Sequence, residues 1–110
     1  MSQRLSDVLH RLHLTIAERK GGDPSISYTA KLLAEGVEHA AKKFAEEAIE
    51  LVIAAAGGDP KAAIHESADV LYHWLVLMAA SGVNLDQIAN ELERREGTSG
   101  LAEKASRKDG

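Results

Sequence analysis

The sequence predicts an all-α fold, a bundle of about five helices per chain, on three observations. Apolar residues recur at helical spacing in successive blocks. Glycine and proline punctuate the sequence at the ends of those blocks. No run of alternating apolar and polar residues makes a strand. A chain of 110 residues is near the commonest size for one domain and is read as one over 1–110.

Leu5, Val8, Leu9, Leu12 and Ile16 follow one helical face, which predicts a first helix from about Leu5 to Arg19, ended by "GGDP" at Gly21 to Pro24. In "SYTAKLLAEG", Ser27 caps a short second helix that carries Tyr28, Leu32 and Leu33 and stops at Gly36. A third helix runs from about Val37 to Ala56 and is closed by Gly57 and Gly58. Asp59 caps the fourth, with Pro60 in the first turn, where its missing N–H costs nothing, and Gly82 ends it after Ser81. Asn84 with Gln87 forms a capping box for a fifth helix ending near Arg95. Beyond it, "EGTSGLAEKASRKDG" is rich in glycine and charge, and Gly97 to Gly110 is expected to be a movable tail.

The third and fourth helices are joined by a few residues, which makes them antiparallel neighbours. Phe44, Ile49, Val52, Ile53, Val70, Leu71, Trp74 and Leu77 place apolar groups around much of their circumference. Two helices cannot bury so much, so a second copy of the chain is expected to complete a four-helix bundle.

Thirteen Lys and Arg against 17 Asp and Glu leave a net charge of −4, which gives no general basic field for nucleic acid or an anionic membrane. Cysteine is absent, so thiolate metal sites and thiol nucleophiles are excluded. The amphipathic, charged start is unlike a secretory leader, and no run approaches the ~20 apolar residues of a membrane helix. These features predict a cytoplasmic protein.

The acids of the central pair are unusual. Between Phe44 and Ala56 the only charged residues are Glu46, Glu47 and Glu50, and between Ala68 and Val83 the only one is Asp69. A solvated face mixes both signs, because like charges one turn apart destabilise a helix. Glu47 with Glu50, and Glu66 with Asp69, are i,i+3 pairs that fall at similar height about the turn at Gly57 to Pro60. Carboxylates roughly 5 Å apart in a partly apolar site repel by several kcal/mol per pair, so a cation is expected among them. Oxygen ligands suit a hard divalent ion, above all Mg²⁺. Iron bundles use Glu-x-x-His, and neither pair has histidine at that spacing. The competing reading is a solvated acidic face balanced by Lys42, Lys43 and Lys61.

"KKFAEEAIE", followed after fifteen residues by "ESADVLYHWLVLMAA", resembles the Glu-Glu-x-x-Glu…Glu-x-x-Asp signature of the all-α, MazG-like nucleotide pyrophosphohydrolases. With "SYTAKLLAEG" and "ELERREGTSGLAEKASRK" added, the resemblance extends over nearly the whole chain to the phosphoribosyl-ATP pyrophosphatase family. Ala45 departs from the glycine common there before the paired glutamates, without cost to a helix. The resemblance implies Mg²⁺-dependent hydrolysis of 1-(5-phosphoribosyl)-ATP to the AMP form and pyrophosphate in histidine biosynthesis, with a phosphoribosyl-AMP cyclohydrolase as a candidate partner.

On that reading Glu47, Glu50, Glu66 and Asp69 hold the metal. Glu46 is a further ligand or, like Glu47, a residue that orients or deprotonates the water. Lys43 reaches a substrate phosphate or offsets the acids, and Lys31 is a weaker phosphate candidate. Lys104 and Arg107 in the tail are expected to close over a phosphate. His73 is more readily a packed residue than a ligand, and His10, His13, His39 and His65 are read as surface residues without metal spacing. Tyr72 and Trp74 are read as core or dimer contacts, and Arg94 and Arg95 as favouring a helix C-terminus. Two other functions fit the same acids: a housecleaning nucleoside triphosphate pyrophosphohydrolase, and a non-catalytic helical dimerisation module with an acidic groove.

Overall fold

A computed structural model describes residues 3–97 together with 104 and 107. From residue 3 to residue 97 five helices follow in order, α1 (Gln3–Arg19), α2 (Tyr28–Ala34), α3 (Val37–Ala56), α4 (Pro60–Ser81) and α5 (Leu85–Arg95), with no strand among the described residues. α1 begins two residues before the predicted Leu5, because Gln3 and Arg4 carry no breaker. The tail expected from Gly97 lies outside the described residues except for Gly97 itself, Lys104 and Arg107, which are exposed.

Side chains written into the sequence set the helix starts. The Ser27 hydroxyl accepts from the Ala30 backbone N–H at 3.1 Å, and Asp59 Oδ1 from Ala62 at the same distance. At α5 both halves of the capping box form, with Asn84 receiving the Asp86 N–H and Gln87 receiving the Asn84 N–H. α4 ends where Gly82 turns to φ +75°, a left-handed conformation that would strain any residue with a Cβ.

α3 and α4 make the most extensive interhelical contact, and α1 and α2 lie against α4 and against each other. Ile16, Leu32, Ala40, Leu75 and Val76 form one fully buried cluster, with Leu9, Leu12, Leu33, Trp74, Leu77 and Leu85 packed around it. Each helix therefore contributes to one core. Tyr72 ties α4 to α2 through a 2.6 Å hydrogen bond between its hydroxyl and that of Thr29, and its ring meets His73 edge-on at 5.0 Å. His73 is buried, as its place on the α4 face favours. The core is small and holds the acidic stretches of α3 and α4 side by side.

Leu75 is 1 % exposed, whereas Leu14 is 48 % exposed on α1. Leu75→Ala should cost about 2–5 kcal/mol of unfolding free energy in urea, against at most about 0.5 for Leu14→Ala. Equal costs would place the core elsewhere.

Candidate functional site

Helix geometry brings the acids together. Glu47 and Glu50 stand one turn apart on α3, Glu66 and Asp69 one turn apart on α4, and the short connection at Gly57–Asp59 sets the two pairs opposite each other. One carboxylate oxygen from each of Glu47, Glu50 and Glu66 lies within 4.8 Å of the other two. A second trio, His65, Glu66 and Asp69, meets the same limit, so Glu66 belongs to both. Glu66 Oε2 is buried and has no hydrogen-bond partner. A buried, unpaired carboxylate oxygen is costly unless something positive reaches it.

The electrostatics agree with the geometry. Burial holds Glu47 above the ordinary carboxylate range, reinforced by a hydrogen bond to Glu50 and by repulsion from Glu50, Asp69 and Glu66. Burial raises Glu66 too, with repulsion from Glu50 and Asp69 adding to it and His65 opposing it. The donor set is all oxygen apart from one imidazole, the chemistry that suits a hard divalent cation. Metal-free, the cluster is under electrostatic strain.

Other residues fall outside the trios. Glu46 is exposed and paired with Lys43, whose Nζ stands 3.4 Å from its Oε2; that hydrogen bond raises the lysine's proton affinity. Lys43 thus neutralises an acid at the edge of the cluster, one of the two roles open to it from sequence. Lys31 is exposed on the short helix α2. His73 is pushed towards its neutral form by burial and then by Lys43, against the pull of Asp69 and Glu46. Arg94 and Arg95 grip Glu91 at 2.6 and 3.0 Å, holding that acid down to about 2.

Two of the histidines read as surface residues pair with an acid. His39 is only partly exposed and pairs with Glu35 at 2.6 Å. His65 is exposed but its Nε2 lies 3.4 Å from Asp69 Oδ2, so it joins the edge of the acid site. The signal in each case was spacing to an acid four residues away rather than to another histidine. Similarly, Asp69 groups with Glu66 and His65 rather than with all three glutamates at once.

The sign of the raised acids fixes a pH response. Folded Glu47 and Glu66 keep protons that the unfolded chain gives up, so their contribution destabilises the metal-free fold at neutral pH and is relieved as pH falls into their folded range. Chelator-treated protein should therefore show a stability gain on mild acidification that is smaller in Glu66→Gln, measured by thermal unfolding. An identical pH dependence in the variant would contradict the raised affinity.

A family model described as phosphoribosyl-ATP pyrophosphohydrolase matches residues 9–96, which includes every acid of both trios. A phosphoribosyl-ATP pyrophosphatase of Caulobacter vibrioides (strain NA1000 / CB15N) is 67% identical over 107 residues, covering 97% of this chain and 99% of the relative. Proteins of the same name from Paracoccus denitrificans (strain Pd 1222) and Ruegeria pomeroyi (strain ATCC 700808 / DSM 15171 / DSS-3) are 60% identical over 100 residues and 55% over 103. They cover 91% and 94% of this chain and 93% and 98% of their own lengths. With its paired acids set on two antiparallel helices inside the matched region, the chain belongs to the phosphoribosyl-ATP pyrophosphohydrolase family.

Proposed function

We propose that this protein hydrolyses 1-(5-phosphoribosyl)-ATP between the α and β phosphorus, releasing 1-(5-phosphoribosyl)-AMP and pyrophosphate, as a cytoplasmic enzyme of histidine biosynthesis. Family membership supports the substrate. The observation that carries the chemistry is the unpartnered, buried Oε2 of Glu66 between two groups of acids. Glu47, Glu50, Glu66 and Asp69 would hold Mg²⁺. Such an ion supplies charge neutralisation at phosphate oxygens and an acidified bound water.

The chain's own groups do the rest. Glu47, inside the cluster, and Glu46, exposed at its edge, are assigned to orienting the attacking water and accepting its proton. Lys43 can swing from Glu46 to a phosphate oxygen, and Lys31, Lys104 and Arg107 are assigned to the substrate's outer phosphates. Association with a phosphoribosyl-AMP cyclohydrolase, which would take the product, is part of the same reading. No helix among the described residues is long and apolar enough to cross a membrane.

The same reading includes a homodimer. Ile49 and Val52 form a stripe along α3 that is 60–65 % exposed, and Ile64 on α4 is 72 % exposed. A second copy laying its own α3 and α4 on this face would complete a four-helix bundle and bury the stripe.

Glu50→Gln and Asp69→Asn should each remove most magnesium-dependent pyrophosphate release while circular dichroism stays helical, with metal-free stability unchanged or raised. Wild-type turnover in both variants at saturating magnesium would refute the metal assignment. Sedimentation should give twice the 11.8 kDa chain mass, and Val52→Glu should shift it towards one. An active wild-type monomer would exclude the dimer.

A further inference from the structure

Beside the acid trio, on the side of the α3–α4 connection, lies a cleft of about 420 Å³. Glu50 and Glu66 form its inner end, and Gly57 and Asp59 its outer end. Ile53, Ala54 and Ala62 line it between them, one turn beyond Glu50 on α3 and one turn before Glu66 on α4. Glu66 stands seven positions after Asp59, about 10 Å along the helix, comparable with the reach from a nucleotide's 5′-phosphate to the far edge of its base. Lys43 lies on the other side of the acids, one turn before Glu47. The site is thus polar along its length: a lysine, then acids, then small apolar walls closed by another acid.

Three carboxylates and no lysine or arginine line the cleft. The C-terminal dipole of α3 and the N-terminal dipole of α4 meet beside it and oppose each other, so the side-chain acids set the local charge. Asp59 Oδ1 is committed to capping Ala62 N–H, while its other oxygen has no partner among the described residues. That oxygen can accept a hydrogen bond from a cation. An adenine substituted at N1 is such a cation near neutral pH, because protonation spreads charge over the N1–C6–N6 amidine, whereas the adenine of ATP is neutral.

Resting on the pyrophosphohydrolase reading, we propose that this cleft is the nucleobase subsite. In it Ile53, Ala54 and Ala62 cover the ring, and Asp59 accepts a charge-assisted hydrogen bond from the cationic N1-substituted adenine, distinguishing it from ordinary adenine nucleotides. The α-phosphate then lies at Glu50 and Glu66, and pyrophosphate leaves towards Lys43. Asp59 is a specificity residue in addition to being a helix cap.

The test is calorimetric binding of 1-methyl-AMP and AMP in magnesium, which uses no turnover. Wild-type protein should prefer 1-methyl-AMP by about tenfold or more, ~1.4 kcal/mol. Asp59→Asn, which caps a helix as well as aspartate does, should abolish the preference with the melting temperature unchanged. Ala62→Leu, which fills the cleft, should weaken both nucleotides and leave inorganic pyrophosphate binding intact. Equal affinity for the two nucleotides in the wild type, or a preference that survives Asp59→Asn, overturns the subsite; if Ala62→Leu does not fold, Asp59→Asn decides alone. Failure of the pyrophosphohydrolase reading would appear separately, as absence of pyrophosphate release from phosphoribosyl-ATP by the wild type.

Discussion

Repulsion among carboxylates held on two facing helices governs the organisation of this molecule. Glu47, Glu50 and Glu66 bring oxygens within 4.8 Å of one another, with Asp69 close enough to raise the proton affinity of two of them. Such an arrangement persists only if the backbones carrying it are fixed by something stronger than the repulsion. Apolar burial supplies that: Ala40 on α3 and Leu75 and Val76 on α4 belong to the fully buried cluster, and α1 and α2 brace α4 through Ile16 and Leu32. Hydrophobic burial and electrostatic strain are thus spatially separated along the same helix pair, with the core towards one end and the acids towards the connection.

This division bears on how charge is handled around the site. Among the described residues, cations approach from the edges only. Lys43 is occupied by Glu46, and His65 touches Asp69 from solvent, so neither fills the centre of the cluster. His73, buried next to these groups, is driven neutral and adds no competing charge. The centre is left to oxygens, a preorganised arrangement in which the electrostatic work is done during folding rather than during binding.

Much of this was legible in the sequence because helices obey local rules. The bounds of α3 and α4 follow from Gly36, the Gly57–Pro60 turn and Gly82, and the shortness of that turn forces the acid pairs to similar height. Caps at Ser27, Asp59 and Asn84 were equally readable, since each satisfies backbone N–H groups within its own first turn. What the pattern could not supply was the choice of side-chain partners. Four acids at matched height and His65 divide into two overlapping trios that share Glu66, because side-chain direction decides which ligand atoms converge. The Thr29–Tyr72 bond, 43 positions apart, depends on how α2 crosses α4, which no local spacing encodes. The cleft beyond Glu50 and Glu66 is likewise a property of two small residues, Ala54 and Ala62, facing each other across the pair.

The connection Gly57–Asp59 has a consequence for how this chain can vary in length. Three residues fix the vertical alignment of α3 and α4, and each position between Glu50 and Glu66 also fixes rotational phase. Insertion of one residue inside either helix segment would turn the acid beyond it by about 100° and lift it by about 1.5 Å, removing it from the cluster while leaving a stable helix. Length variation compatible with the site is therefore confined to segments outside Glu47–Asp69, such as the α1–α2 connection around Gly21–Ser25, whose polar groups face solvent. The fifteen residues between Glu50 and Glu66 act as a ruler in which spacing matters more than most individual side chains.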